Sequence, residues 1–177
     1  MRKYLTFVIC LVLAGSLFAQ EKNQAPAVEV KQQQPPSARK IPGITTDDKF
    51  PNACVDCHIN KPDFNFDARI STMMTGWFKN VEPELLKKAQ ATAPEGVTLK
   101  GVHPQASAAW RNIPTACIAC HKARSASAPP FASVIHAIHL TGGEGNHFLT
   151  AYHGECTNCH KLNLTTGVWT IPSGPEK

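Results

Sequence analysis

Cys54-Val-Asp-Cys57-His58, Cys117-Ile-Ala-Cys120-His121 and Cys156-Thr-Asn-Cys159-His160 write one five-residue pattern three times. Two thiols stand two residues apart, and a histidine follows the second. This is the spacing at which two cysteines add to the two vinyl groups of a porphyrin while the histidine lies under its iron. Six of the seven cysteines belong to these motifs. The seventh, Cys10, sits in an apolar N-terminal run expected to be removed, so the expected mature chain keeps no thiol for another task. The motifs imply three covalent c-type haems. Cys54, Cys57, Cys117, Cys120, Cys156 and Cys159 are the expected thioether positions, and His58, His121 and His160 the expected proximal iron ligands.

Rival chemistries of cysteine explain less. A structural zinc site closes with four Cys or His ligands; three CxxC units pair badly into such sites, and zinc gives no reason for a histidine after each second cysteine. A disulfide framework suits an exported protein but leaves the histidines equally unexplained. A thioredoxin-like dithiol expects a βαβ context that the pattern does not offer.

The N-terminus reads as a secretory signal over residues 1–19. Arg2 and Lys3 precede an apolar run from Leu5 to Phe18 that is short for a membrane span, with cleavage expected after Ala19 and an uncleaved anchor as the alternative. Export agrees with covalent haem, which is attached outside the cytoplasmic membrane, and implies a bacterial periplasm or cell surface. Residues 20–49 are polar and proline-bearing, with Gln32-Gln33-Gln34-Pro35-Pro36 at their centre, and read as a flexible linker. Residues 50–177 form the expected three-haem domain. The formal charge of +5 falls to +3 once Arg2 and Lys3 are removed. Six haem propionates, against one positive charge at each ferric centre, bring the oxidised holoprotein to about zero, so the basic isoelectric point is no argument for nucleic-acid binding.

Apolar residues at Ile70, Met73, Met74, Trp77 and Phe78 predict a helix over Asn65 to Lys79. A second helix is predicted from Phe131 to Leu140, after Pro129-Pro130 and before Gly142-Gly143, and a weaker one from Glu82 to Ala91 with Pro83 in its first turn. No strand pattern stands out, although short pairings are allowed. The expected fold is mainly α with much irregular structure, in which short helices and loops wrap the haems as an apolar core.

Five histidines remain for the far side of the irons: His103, His136, His139, His147 and His153. At i and i+3, His136 and His139 share a helix face. Axial ligands approach one iron from opposite sides, so this pair is expected to serve two neighbouring haems. His103, flanked by Gly101 and Pro104, is the third expected distal ligand, with His147 as first substitute. His153 reads as a surface group. Met73 and Met74 read as packing residues, as do Trp77, Trp110 and Phe131, and Lys87-Lys88 as a solvated helix face.

With its three CxxCH motifs, export signal and histidine-rich intervals, the chain resembles bacterial multihaem c-type cytochromes over about residues 50–162. Ile135-His136-Ala137-Ile138-His139 is similar to the distal-ligand segment of larger surface cytochromes of extracellular respiration. The 59 residues between Cys57 and Cys117 depart from the compact spacing of small three-haem periplasmic members. The resemblance implies an exported electron carrier rather than an enzyme, passing electrons between redox partner proteins or a membrane-associated respiratory complex through bis-histidine, low-potential haems. Two alternatives stay open. One is a haem reductase or oxidase with an open iron; the other is a haem-wiring subunit of a larger complex or filament.

Overall fold

The computed structural model describes residues 39–177. The expected signal segment and the expected linker as far as residue 38 lie outside the described residues, as does Cys10. The remainder of the expected linker carries specific contacts. Ile41 O accepts bonds from the amides of Ile44 and Thr45 in a turn that uses Gly43 at φ 73°. Asp48 bonds the amide of Phe50 at 2.9 Å and the ammonium of Lys161 at 3.0 Å, which ties this segment to residues following the third motif.

The first motif forms a one-turn helix α1 (Cys54–Cys57). A narrow ladder follows, β1 (Asn60–Lys61) against β2 (Phe66–Asp67), with Asn60 opposite Asp67. Its connection closes on Asn65 in the left-handed region, φ 48°, a conformation that asparagine tolerates better than most residues. Helix α2 (Ile70–Trp77) therefore starts later than the apolar periodicity predicts. The Asp67 carboxylate sits just before its first turn, accepting from the Arg69 amide and guanidinium and from the Thr72 hydroxyl. Along α2, Met74 is buried and Met73 and Trp77 are half-buried, whereas Thr72, Thr75 and Gly76 face solvent.

Helix α3 (Pro83–Gln90) has Pro83 at its first position, where the missing amide costs nothing. The second motif begins in the short helix α4 (Thr115–Ile118). Helix α5 (Phe131–Leu140) has the bounds that its flanking prolines and glycines predict. The short α6 (His147–Ala151) is capped by the Asn146 side chain, which accepts from the Phe148 amide. A second ladder, β3 (Lys161–Asn163) with β4 (Val168–Thr170), pairs Leu162 with Trp169.

The described residues thus combine short helices, two small antiparallel ladders and long irregular connections. Among the described residues, Ala53, Val55, Ala68, Met74, Ala109, Ile113 and Val134 are buried, as is Pro114. Three of these are alanines, which is a small core for a domain of this length. The segment after β4 runs back to earlier parts of the chain: Gly174 exchanges both backbone bonds with Ile113, and Glu176 bonds the Trp110 carbonyl and the Ser71 amide.

Candidate functional site

Six of the eight histidines stand in three facing pairs, and every pair joins one motif histidine to one that lies outside the motifs. The ring centres of His58 and His139 are 6.1 Å apart, those of His121 and His103 5.9 Å, and those of His160 and His136 6.1 Å. The ring planes cross at 90° in the first pair, lie within 19° of parallel in the second and meet at 46° in the third.

These separations can be tested against the expected group. With a metal–imidazole bond of about 2.0 Å and about 1.1 Å from nitrogen to ring centre on each side, two trans imidazoles have centres about 6.2 Å apart. All three pairs fit that span. Among the described residues, no cluster of three or more His, Cys, Asp or Glu side chains is placed to hold a metal ion. A two-histidine site is short of the four ligands that a structural zinc needs. It suffices for an iron that arrives with four macrocycle nitrogens. The six motif thiols are free, as thioether formation requires.

Carbonyl groups orient the imidazoles. Nδ1 of His58 lies 3.0 Å from Ala68 O, that of His103 2.7 Å from Pro104 O, that of His121 2.6 Å from Pro129 O, and that of His139 3.0 Å from Ile135 O. With Nδ1–H donating to a carbonyl, the Nε2 lone pair is left for a metal. Burial holds His58, His103 and His139 below the ordinary imidazole value, which favours the neutral ring, the form in which imidazole ligates. Burial together with the nearby Cys159 raises the Cys54 thiol to about 12 and the Cys57 thiol to about 11. Cys117 acts in the same direction on Cys54, so the first motif lies close to both of the others.

Helix α5 faces a histidine of the first and third motifs and bonds the second. Its first amide, of Phe131, donates to His121 O at 2.9 Å. His136 faces His160, and His139, on the same side of the helix one turn later, faces His58. The C-terminal end of α5 is held by two side chains. Lys88 Nζ lies 3.4 Å from Ile138 O and 3.2 Å from Thr141 O, and Asn146 Nδ2 bonds the same two carbonyls at 2.9 and 2.7 Å. An ammonium there also complements the negative end of the helix dipole. Lys88 is thus half-buried and bonded, unlike its exposed neighbour Lys87 and unlike the solvated face that sequence suggests for both. Its reach to α5 is a contact across 50 residues that no local pattern announces.

The other candidates lie apart from the pairs. His147 stacks on Tyr152 at 5.3 Å between ring centres and faces no motif histidine. His153 is exposed, with φ 55°. Met74 is buried at 8 % exposure. Phe78 lies 6.3 Å from both His103 and Trp110, and the Trp77 carbonyl accepts the His103 amide at 2.8 Å, so the end of α2 fixes the loop that carries His103. Among the described residues no helix is long and apolar enough to cross a membrane. Comparison with family models, with curated proteins and with solved structures returns no match.

Proposed function

We propose that this chain is an exported three-haem c-type cytochrome that carries electrons between redox partner proteins. The observation that carries the reading is the one-to-one pairing of motif and non-motif histidines at the span of two trans axial ligands. Haem, when attached, supplies a one-electron couple at each site. The residues of the chain do the rest. The cysteines would anchor the group and six imidazoles would hold it from both faces, while backbone carbonyls set the tautomer of four of these imidazoles and α5 fixes the spacing of His136 and His139. A histidine on both faces of each site leaves no position for a substrate, which favours a carrier over a reductase or oxidase with an open iron. Imidazoles on both faces also favour lower potentials than a thioether ligand does, in keeping with anaerobic or quinol-linked respiration. The partners, and any role as a wiring subunit of a larger complex, follow from the same reading.

The test is the mass and spectrum of the exported holoprotein. A mass increment of three haems and a reduced low-spin spectrum insensitive to carbon monoxide are expected. An increment other than three defeats the proposal, and rapid carbon monoxide binding at one iron transfers it to the enzyme reading.

A further inference from the structure

Asp48 precedes the first motif in the chain, yet its carboxylate belongs to the surroundings of the third. Its Oδ1 accepts from the Lys161 ammonium at 3.0 Å and from the Phe50 amide at 2.9 Å. Lys161 directly follows His160, and its ammonium also donates to Thr157 O, inside the third motif, at 2.6 Å. The side chains of Lys161 and Asp48 are 16 % and 24 % exposed, so the pair is largely shielded from water. The turn at Gly43, φ 73°, closes on the carboxylate: a Cβ there would lie 3.1 Å from Asp48 Oδ2. Asp48, Thr157, His160 and Lys161 line one cavity of about 180 Å³. Burial raises the Cys159 thiol and the Lys161 ammonium pulls it down, so the charge of this lysine is felt at the motif. The cations that act on the His58–His139 pair are held differently. Lys61 Nζ meets the Tyr152 hydroxyl at 3.2 Å, and Lys88 Nζ meets two backbone carbonyls. Among the described residues, neither has a carboxylate within ion-pair distance.

Resting on the electron-carrier reading, we infer that Asp48 is a positioning residue for the third site, whose carboxylate fixes Lys161 beside His160, cancels its charge and so holds the potential of that site down. A ferric centre carries one positive charge more than a ferrous one. An unmatched cation nearby therefore favours reduction, and an unmatched anion favours oxidation. Water and salt screen so enclosed a pair only weakly, and breaking it leaves one charge uncompensated. The lever is local charge, separate from the choice of axial ligand. It gives the first and third sites different electrostatic surroundings, although each has a histidine pair and α5 joins them. It also makes the segment around Gly43 and Asp48 part of the third site rather than of a linker.

The test uses holoprotein whose three haems and low-spin spectrum have first been verified, so that failure of the carrier reading shows itself before this one is examined. Nuclear Overhauser contacts to the Cys156 and Cys159 thioether bridges identify the third haem, and its methyl resonances report its ferrous fraction at each applied potential. In Asp48→Asn the ferrous-to-ferric ratio of that haem at fixed potential is expected to rise about ten-fold, equivalent to about 59 mV for one electron. In Lys161→Gln it is expected to fall by a similar factor. The double variant Asp48→Asn, Lys161→Gln is expected to return to within about two-fold of the wild type. The shifts should persist at about 500 mM salt, where those of exposed charges fade. Opposite signs with restoration follow from charge and not from lost packing. Single variants that both shift the third haem in one direction, or that both leave it within about two-fold, overturn the proposal, as does a double variant that fails to restore it. A larger shift at the first or second haem overturns it too. So does loss of the third haem from either single variant, because the pair would then hold the site together rather than set its potential.

Discussion

The imidazole of His139 faces that of His58 at 6.1 Å with the two ring planes crossed at 90°, whereas His103 and His121 meet within 19° of parallel. Axial imidazole planes set how the two π-type iron orbitals split. Parallel planes separate them, and crossed planes leave them nearly equal. The oxidised holoprotein is therefore expected to give two kinds of low-spin signal in low-temperature electron paramagnetic resonance, one strongly anisotropic and one rhombic. His139→Ala should remove the strongly anisotropic signal and spare the rhombic one. A single class of rhombic signal would count against the crossed arrangement.

His136 and His139 share a face of α5 but look at different motif histidines. His136→Ala and His139→Ala should each open one iron, and a different one. In either variant, carbon monoxide is expected to shift roughly one third of the haem absorbance, one iron in three. The double variant should shift about two thirds. If both single variants alter the same haem, or if either alters none, the shared-helix arrangement is wrong.

The clamp on the end of α5 predicts a stability effect at a distance from the haems. Asn146 caps α6 and also bonds Ile138 O and Thr141 O. Loss of a cap costs about 1 kcal/mol, and the released carbonyls add to this. Asn146→Ala should lower the unfolding free energy by about 1–3 kcal/mol on those grounds. Lys88→Ala should cost less, about 0.5–1 kcal/mol. Denaturant titration followed by circular dichroism measures both, with haem content unchanged.

Asp67 supplies a pH signature. Hydrogen bonds from Arg69 and Thr72 hold its carboxyl well below the usual carboxylate range. A depressed folded-state value means that the folded chain binds the proton less readily than the unfolded chain. The contribution to stability is full above the ordinary aspartate value near 4, and drains away as pH falls below it. Asp67→Asn should lower stability in the neutral region and converge with the wild type at acid pH, which flattens this acid limb of a stability-against-pH curve. Because the group is exposed, added salt should shrink the difference.

Local signals carry some of this architecture and not the rest. Pro129-Pro130 and Gly142-Gly143 bracket α5 because their backbone limits act within a few residues, and the i, i+3 spacing puts His136 and His139 on one face by helix geometry alone. Periodicity places the start of α2 too early. The apolar stripe cannot register that Asn65 takes a left-handed turn and that Phe66 and Asp67 pair with Asn60 and Lys61. Which motif histidine each non-motif histidine meets is set by long-range folding. The same holds for Lys88 reaching α5 and for Asp48 bonding Lys161 across 113 residues. Composition groups Asp48 with the polar linker because the lysine that holds it is far away in sequence.

His139 follows His136 by three positions of helix, a rise of about 4.5 Å along the axis. In the proposed carrier, that makes the gap between two electron sites a property of peptide hydrogen bonding, as rigid as the helix itself. The loops around the haems are then free to drift in length and composition without detuning the hop between those two sites. A single residue inserted between His136 and His139 would swing one imidazole by about 100° and break the relay at once. Tolerance to change should therefore be lowest over these four positions, even though His136 is itself exposed to solvent.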